Sequence, residues 1–375
     1  MASAQTSDDI LNLLVKRGSI TQNEADSLKA NNVKKQQAKN ESKELFPLIG
    51  TTPFRVGGYI QSRFQSFQQT GVPDGFDVHR ARIILDGNTP TWEYRLNAEF
   101  ASSPKLIDAY VTFKPYEFLK VTTGQFYIPF SLENVTADRE LSTIDRSQVV
   151  TALTGRDKDV IGNQNGRDIG IRLSGSFIKL NEGFLLDYYL GYFNGSGINV
   201  ADNNQAKDVA GRLVFHPFKG FNIGGSFYNG LDQWATETPA QMATHTRNRI
   251  GGEFSYKYRL FSLQGEYIQG QDGDVIKSDK SSASLNRAGW YALAGYYVVP
   301  NKLQVVARYD TYDPNTINNE SLVKGSTTDA TTNYVGGINY FFTAWIKLQV
   351  DYSYRIEEGV QINNNLISAQ LQIVF

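Results

Sequence analysis

From Phe54 to Phe375 apolar and polar side chains alternate with a period of two, and this pattern limits the chain more than any other feature does. Successive side chains of a strand point to opposite faces, so alternation gives each strand one apolar and one polar face. In Trp92-Glu93-Tyr94-Arg95-Leu96-Asn97-Ala98-Glu99-Phe100 the even positions are apolar and the odd positions polar. Ile346 to Arg355 and Phe261 to Tyr267 repeat the pattern, and Leu303 to Tyr309 keeps it with one lapse, at Val306. A half-exposed antiparallel sheet in water also alternates, so the pattern alone does not select a membrane.

Count and spacing add what the alternation lacks. About sixteen strands of roughly ten residues can be placed, the length that crosses a bilayer when tilted. Their centres fall near Ile60, Arg82, Leu96, Ala109, Val121, Ile171, Tyr189, Leu213, Gly224, Gly252, Leu263, Ala292, Val305, Gly337, Leu348 and Leu371. The links alternate. Gly87 to Pro90, Leu180 to Gly183 and Pro300 to Lys302 are tight, whereas Gln68 to Gly75, Pro129 to Gly166, Asn194 to Ala206, Asn229 to Thr246, Gly270 to Leu285 and Pro314 to Thr331 are long and polar. Ala101 to Lys105 and Glu357 to Val360 are short links on the long-loop side. Short turns at one end and long loops at the other describe an outer-membrane barrel, and an even strand number places both termini at the short-turn, periplasmic end. The expected fold is an all-β, transmembrane antiparallel barrel of about sixteen strands, residues 48–375, preceded by a helical segment and linker, residues 1–47.

Composition excludes other classes. With no Cys there is no disulfide framework, thiolate zinc site or thiol nucleophile. A net charge of −1 from 37 basic and 38 acidic residues is not that of a nucleic-acid binder. No apolar run approaches the ~20 residues of a spanning helix. The three histidines, His79, His216 and His245, are far apart, and no zinc-protease, phosphate-loop or nucleophile-elbow motif is present. No enzyme, cofactor or metal is expected. Asp272, Asp274 and Asp279 lack the spacing of a calcium loop and read as a solvated acidic loop. His79 is expected on the lipid-facing side. Trp92, Tyr94, Tyr188, Tyr189, Trp290, Tyr291, Tyr296, Tyr352 and Tyr354 fit aromatic girdles at the two membrane interfaces.

The amino end differs. Ala2-Ser3-Ala4 has the small-residue pattern that precedes a signal-peptidase cut, which points to export. Asp8 to Lys16 reads as a helix stopped by Gly18, and Thr21-Gln22-Asn23-Glu24 reads as a capping box opening a second. Asn31 to Lys43 is polar and lysine-rich. The segment is either a tether or a docking element for a periplasmic or outer-membrane protein partner.

The chain ends Leu371-Gln372-Ile373-Val374-Phe375, an aromatic-terminated strand similar to the assembly signal of outer-membrane proteins. His79-Arg80-Ala81-Arg82, Val121 to Phe130, Gly166-Arg167-Asp168-Ile169-Gly170-Ile171, Tyr192 to Gly197, and Gly289 through Pro300 to Asp310 resemble, in order and spacing, the phosphate-selective porins O and P. Leu11 to Leu28 resembles that family's amino-terminal segment. The resemblance implies a sixteen-stranded, usually trimeric outer-membrane porin whose third loop folds inward and narrows the pore.

Taking the apolar positions as lipid-facing, the lumen receives Arg55, Arg63, Arg80, Arg82, Arg95, Lys120, Arg172, Arg212, Arg247, Arg249 and Arg308, together with Lys257, Lys347 and Arg355. Inward acids are fewer: Glu93, Glu99, Asp108, Glu253, Glu266, Asp310 and Asp351. A surplus of fixed positive charge around water attracts anions. Arg80/Arg82 and Arg247/Arg249 sit about 7 Å apart along their strands. They fit either the passing of an anion from one guanidinium to the next or bracing of the wall against Glu93 and Glu99. Pro129 to Gly166, about 38 residues, is far longer than an ordinary connection. It is the expected constriction, and it carries Arg139, Arg146, Arg156 and Lys158 among six acids. The phosphate site of the family is densely basic, so this mixed loop fits a general anion-leaning porin equally well. The expected function is a passive outer-membrane diffusion channel for small anionic solutes, phosphate or other oxyanions among them. A porin-bodied accessory subunit of an outer-membrane assembly is the alternative.

Overall fold

The computed structural model describes residues 15–17, 21–22, 24, 54–232, 245–276, 282–316, 330–358 and 361–375. The chain divides into two units, 1–53 and 54–375. In the first, the capping box is formed: the Thr21 amide donates to Glu24 at 2.8 Å and the Glu24 amide to Thr21 Oγ1 at 3.3 Å. The expected export signature, the helix core before Val15 and the polar linker lie outside the described residues.

The second unit is a closed antiparallel barrel in which each strand pairs with its neighbours in sequence. The strands are β1 (Phe54–Phe67), β2 (Gly75–Asn88), β3 (Trp92–Glu99), β4 (Lys105–Tyr116), β5 (Leu119–Tyr127), β6 (Arg167–Lys179), β7 (Phe184–Phe193) and β8 (Asp208–Phe218). The series continues with β9 (Phe221–Asp232), β10 (His245–Tyr258), β11 (Phe261–Ile276), β12 (Ser282–Val299), β13 (Leu303–Asp313), β14 (Thr331–Phe341), β15 (Ile346–Glu357) and β16 (Leu366–Val374). Each expected strand centre lies on its strand. Closure is made by β1 on β16, from Tyr59 opposite Val374 to Phe67 opposite Leu366. Gly58 and Phe375 exchange both backbone hydrogen bonds, at 2.9 and 3.0 Å, which ties the carboxy-terminal residue into the seam. A side chain at Gly58 would collide with the Phe375 ring and the Arg82 carbonyl, so glycine is what lets the seam close.

Long and short links separate to opposite ends, as the alternation predicts. One expected loop is shorter than anticipated. Gly270 to Leu285 is largely strand, because β11 and β12 stay paired out to Ile276 opposite Ser282. Polar strand ends protruding from a membrane need no apolar face, so alternation lapses there while the ladder continues.

The outer face carries the apolar set, including Ile60, Ile83, Leu96, Leu213, Ile250 and Ile338, all exposed. His79 departs from the expectation. Gln61 pairs with Arg80 and Ser62 with Val78, so His79 is the extra residue of a β-bulge. A bulge turns two consecutive side chains toward one face. His79 and Arg80 therefore both point into the lumen, where His79 Nδ1 lies 2.8 Å from Gln370 Oε1. Tyr189 and Tyr291 also depart from the girdle reading. Their neighbours Tyr188 and Trp290 face out, so the period of two sends them inward. Tyr189 lies near Arg172 and Arg212, and Tyr291 donates to Glu266 at 2.8 Å.

A barrel this wide is not filled by its own wall side chains. Here residues 128–166 fold inside. The loop holds helix α1 (Leu132–Val135), a 3₁₀ turn at Asp138–Glu140 and helix α2 (Gln148–Leu153). Val149, Val150 and Leu153 of α2 are fully buried in one apolar cluster with inward-facing Ile268, Tyr291, Leu293, Val306 and Tyr312 of β11 to β13. The lapse at Val306 marks the seat of the loop. Replacing Val149 with Asp is predicted to undock α2, since it buries an unpaired carboxylate. Leu153→Ala should weaken docking by about 2–5 kcal/mol. Limited proteolysis within 129–166 reports the change, while heat-modifiable gel mobility should stay that of a closed barrel.

Candidate functional site: the loop-lined lumen

The inward loop is fixed by hydrogen bonds and ion pairs to most of the wall. The backbone amides of Leu132 and Glu133 donate to Glu266 on β11 at 2.8 and 2.7 Å. Lys347 on β15 donates to the Leu141 carbonyl at 3.1 Å, and Asp351 accepts from the Ile144 amide at 2.7 Å. Asp310 on β13 accepts from the Gln148 amide at the start of α2. Arg308 donates to Thr143 Oγ1 at 2.8 Å and to the Asp145 carbonyl at 2.7 Å.

Two carboxylates of the loop carry the ionic locks. Asp138 meets Arg82 at 2.7 Å and Arg80 at 3.6 Å, and it also pairs with Arg146 of the loop. Burial pushes the Asp138 carboxyl up, but Arg146, Arg80 and Arg82 outweigh it and hold it well below the ordinary carboxylate range. Asp159 binds Arg247 at 2.8 Å and lies 3.7 Å from Arg249. Against the same burial penalty those two arginines bring it down to about 2. Both carboxylates stay charged wherever the pH exceeds ~4, the ordinary carboxylate value. Depressed carboxylate pKa values stabilise docking above that value and lose the contribution as pH falls through the lowered one.

The inward cations sort into two groups. Arg82, Arg247 and Arg249 are 4%, 1% and 3% exposed. Arg82 also binds Glu99 at 2.8 Å, Arg247 reaches Asp232 at 3.2 Å, and Arg249 pairs with Asp272 at 2.7 Å. Asp272, placed in a solvated loop by the sequence reading, is buried on β11 and also bound by Arg287 at 2.9 Å. The side chains of Asp274 and Asp279 lie outside the described residues. Arg95 pairs with Asp86 at 2.6 Å near the short-turn end, where Arg55 also reaches Asp86 at 3.4 Å. Lys120 lies 3.7 Å from Glu117, and Lys257 near the β10/β11 turn is exposed. Arg212 pairs with Glu253, with its Nε at 3.0 and 3.1 Å from the two oxygens. Arg139 lies 3.8 Å from Glu140.

The second group lines a space at the long-loop end, with Arg146, Arg156 and Arg308 themselves buried and the others more open. There a cavity of about 450 Å³ is bounded by the wall and the upper face of the inward loop. The wall contributes Arg63, Arg80, Arg308 and Arg355; the loop contributes Arg146, Arg156 and Lys158. Asp138, Asp145 and Asp157 are the acids of the lining, and just outside it Asp77 binds Arg63 at 2.6 Å and Asp310 lies 3.4 Å from Arg308. Arg355 makes no ion pair among the described residues, and its Nε has no partner. Arg156 has no carboxylate partner among the described residues: Nε donates to Asn134 Oδ1 at 2.9 Å and Nη2 to the Asn134 carbonyl at 3.0 Å. Burial, then repulsion from Arg146, lowers its pKa to about 9. His79 lines the same cavity, 3.1 Å from Arg80. Deeper in the barrel Arg172 lies over the rings of Phe126 and Tyr189 at 5.0 and 5.7 Å, again without an ion pair among the described residues. A second recess of about 1110 Å³ opens at the short-turn end, where His216 contacts Asp187 at 3.1 Å.

The sequence reading names the arginines but does not separate these groups. It includes Arg355 in the inward set and gives its lack of a partner no weight. The missing information is which acid each base meets across strands, and that depends on register.

Replacing Arg82 with Ala strands Glu99 and removes one lock on Asp138. It is predicted to cost about 3–5 kcal/mol, as when a buried ion pair loses one partner. The temperature at which the folded gel band disappears should drop, and Arg82→Lys should recover only part of it.

Among solved structures, the outer-membrane channel DcaP of Acinetobacter baumannii superposes with a TM-score of 0.65 at 11% identity, covering 88% of this chain and 99% of that one. An anion-selective porin of Comamonas acidovorans gives 0.61 at 14% identity, over 86% and 100%. A trimer form of OmpT from Vibrio cholerae gives 0.58 at 12%, over 87% and 100%. At these identities the likeness is one of fold. No curated protein matches the sequence. The family model for phosphate-selective porins O and P matches residues 54–228 and 228–375, which is the entire barrel. This chain belongs to the phosphate-selective porin O and P family, and its barrel is that of an outer-membrane porin.

Proposed function

We propose that the protein is a passive diffusion channel that prefers anions, with the loop-lined cavity as the selecting region. The observation that carries this reading is the charge balance of that cavity's lining, seven cationic side chains against three carboxylates, with Asp77 and Asp310 paired to Arg63 and Arg308 just outside it, in a chain whose net charge is −1. Fixed positive charge around a narrow aqueous space, walled by a low-dielectric barrel, raises the local anion concentration and repels cations. The bracing arginines Arg82, Arg247 and Arg249 contribute little to that field, because each is neutralised by adjacent carboxylates. Arg355, Lys158 and Arg156, which have no carboxylate partner among the described residues, contribute most. The anion-selective character of the Comamonas acidovorans porin is consistent with this reading. The mixed loop, with Asp138, Asp145 and Asp157 beside the bases, favours a general anion preference over a site for phosphate alone.

The same reading places the short-turn end, with both termini, on the periplasmic side, and has three copies assemble in the membrane. The trimer form of Vibrio cholerae OmpT supports the latter. It treats residues 1–47 as a segment separable from the barrel of residues 48–375 and available to a periplasmic or outer-membrane partner.

Two measurements test this. In a planar bilayer under a potassium chloride gradient, the reversal potential should report anion preference. Arg355→Gln with Lys158→Gln should move it toward zero at low salt. The shift should shrink near 1 M, where the screening length falls to about 3 Å from the about 8 Å of physiological salt. An unchanged potential in the double variant would remove the cavity from the selectivity. Deleting residues 1–47 should leave a heat-modifiable barrel with the same reversal potential. Loss of folding in detergent would show that the segment belongs to the barrel.

A further inference from the structure

One stretch of the cavity wall has chemistry that a simple inorganic anion does not need. At the long-loop end of β1, β14, β15 and β16, Gln65, Phe67, Asn333, Ser353, Arg355 and Leu366 all line the cavity. Strand register makes them one patch: Phe67 lies opposite Leu366, Leu366 opposite Ser353, and Asn333 opposite Arg355. The patch holds an aromatic face and an aliphatic neighbour, neutral hydrogen-bonding groups and a guanidinium without a carboxylate partner among the described residues. The side chains of Asn333 and Ser353 make no hydrogen bond among the described residues, so their polar atoms remain available to a ligand. The patch is held in place from behind: Gln65 donates to Ser368 at 3.2 Å, and the Arg355 amide donates to Asn365 Oδ1 at 2.9 Å.

An inorganic anion is bound by positive charge and hydrogen-bond donors, and it gains nothing from Phe67 or Leu366. A cavity of about 450 Å³ also lies within the range of about 300–1,000 Å³ typical of organic ligand sites. A hydroxylated organic anion matches the patch group by group. Its C–H face covers the aromatic and aliphatic side chains, and its hydroxyls meet the amide and hydroxyl groups. Its charge sits at Arg355, since Arg63, two residues before Gln65 on the same strand, is already bound by Asp77 at 2.6 Å.

We propose that this patch is a binding subsite for anionic carbohydrates, sugars carrying a phosphate or a carboxylate, within the anion channel. The proposal rests on the anion-channel reading, and the test separates the two. Single-channel potassium chloride current is recorded while glucose 6-phosphate, galacturonate, glucose or inorganic phosphate is added. Glucose 6-phosphate and galacturonate should block at concentrations at least ten-fold below those needed for glucose or phosphate. Phe67→Ala with Asn333→Ala changes no charge. It should raise the half-blocking concentration of both sugar anions about ten-fold and leave the chloride reversal potential where it was. Equal block by phosphate and glucose 6-phosphate, or undiminished block in the double variant, overturns the subsite. A reversal potential without anion preference in the unmodified protein overturns the channel reading instead. Heat-modifiable mobility of the variant confirms a folded barrel, and Phe67→Tyr, which keeps the aromatic face, should retain the block.

Discussion

A β-sheet in hydrocarbon has nowhere to place an unpaired edge, and the rest of this structure follows from that constraint. Lipid offers no hydrogen bonds, so each strand needs two neighbours and the first must meet the last. The β1–β16 ladder and the paired bonds of Gly58 with Phe375 meet the requirement. Closure around sixteen strands leaves an interior too wide for wall side chains to fill. That interior is where residues 128–166 fold, and the loop determines what the lumen becomes. Alternation lets one wall serve two solvents, with apolar side chains toward lipid and polar ones toward the water and the loop.

Within the lumen two kinds of interaction hold the loop, and they divide the work. The apolar seat of α2 against β11 to β13 supplies non-directional burial in the middle of a polar interior. The ionic locks at Asp138 and Asp159 supply position, since each carboxylate is met by arginines from the wall. Removing such charges from water is costly, so these pairs fix geometry more than they add net stability. In the proposed channel, an arginine neutralised by a buried carboxylate shapes the wall, and an arginine without one shapes the field that a solute meets. Arg82 and Arg355 are the same residue type on the same inner face, and they differ only in their neighbours.

Much of this is local and therefore legible in the residues. Each of the sixteen strand centres, the contrast between short and long links, the inward-facing bases and the unusual length of 129–166 follow from spacing along the chain. The departures have local causes too. His79 sits in a bulge, where two adjacent residues share a face, so a count in twos places it on the wrong side. Tyr189 and Tyr291 follow the count in twos once their outward neighbours are fixed, but composition groups them with girdle aromatics. Ile268, Leu293 and Val306 look like flaws in the alternation, and they are the seat of a loop more than a hundred residues earlier in the chain.

The sequence by itself determined that this chain closes a polar-lined barrel in a membrane and carries a loop long enough to enter it. Strand periodicity and turn chemistry act over a few residues and need no distant partner to be read. Only the tertiary structure decided which cations face water. Whether a guanidinium is neutralised depends on which carboxylate lies opposite it across strands or on the inserted loop. Asp138 reaches Arg82 across more than fifty residues of chain, and Asp159 reaches Arg247 across more than eighty. Such meetings are set by register and loop docking, which no short stretch of sequence encodes.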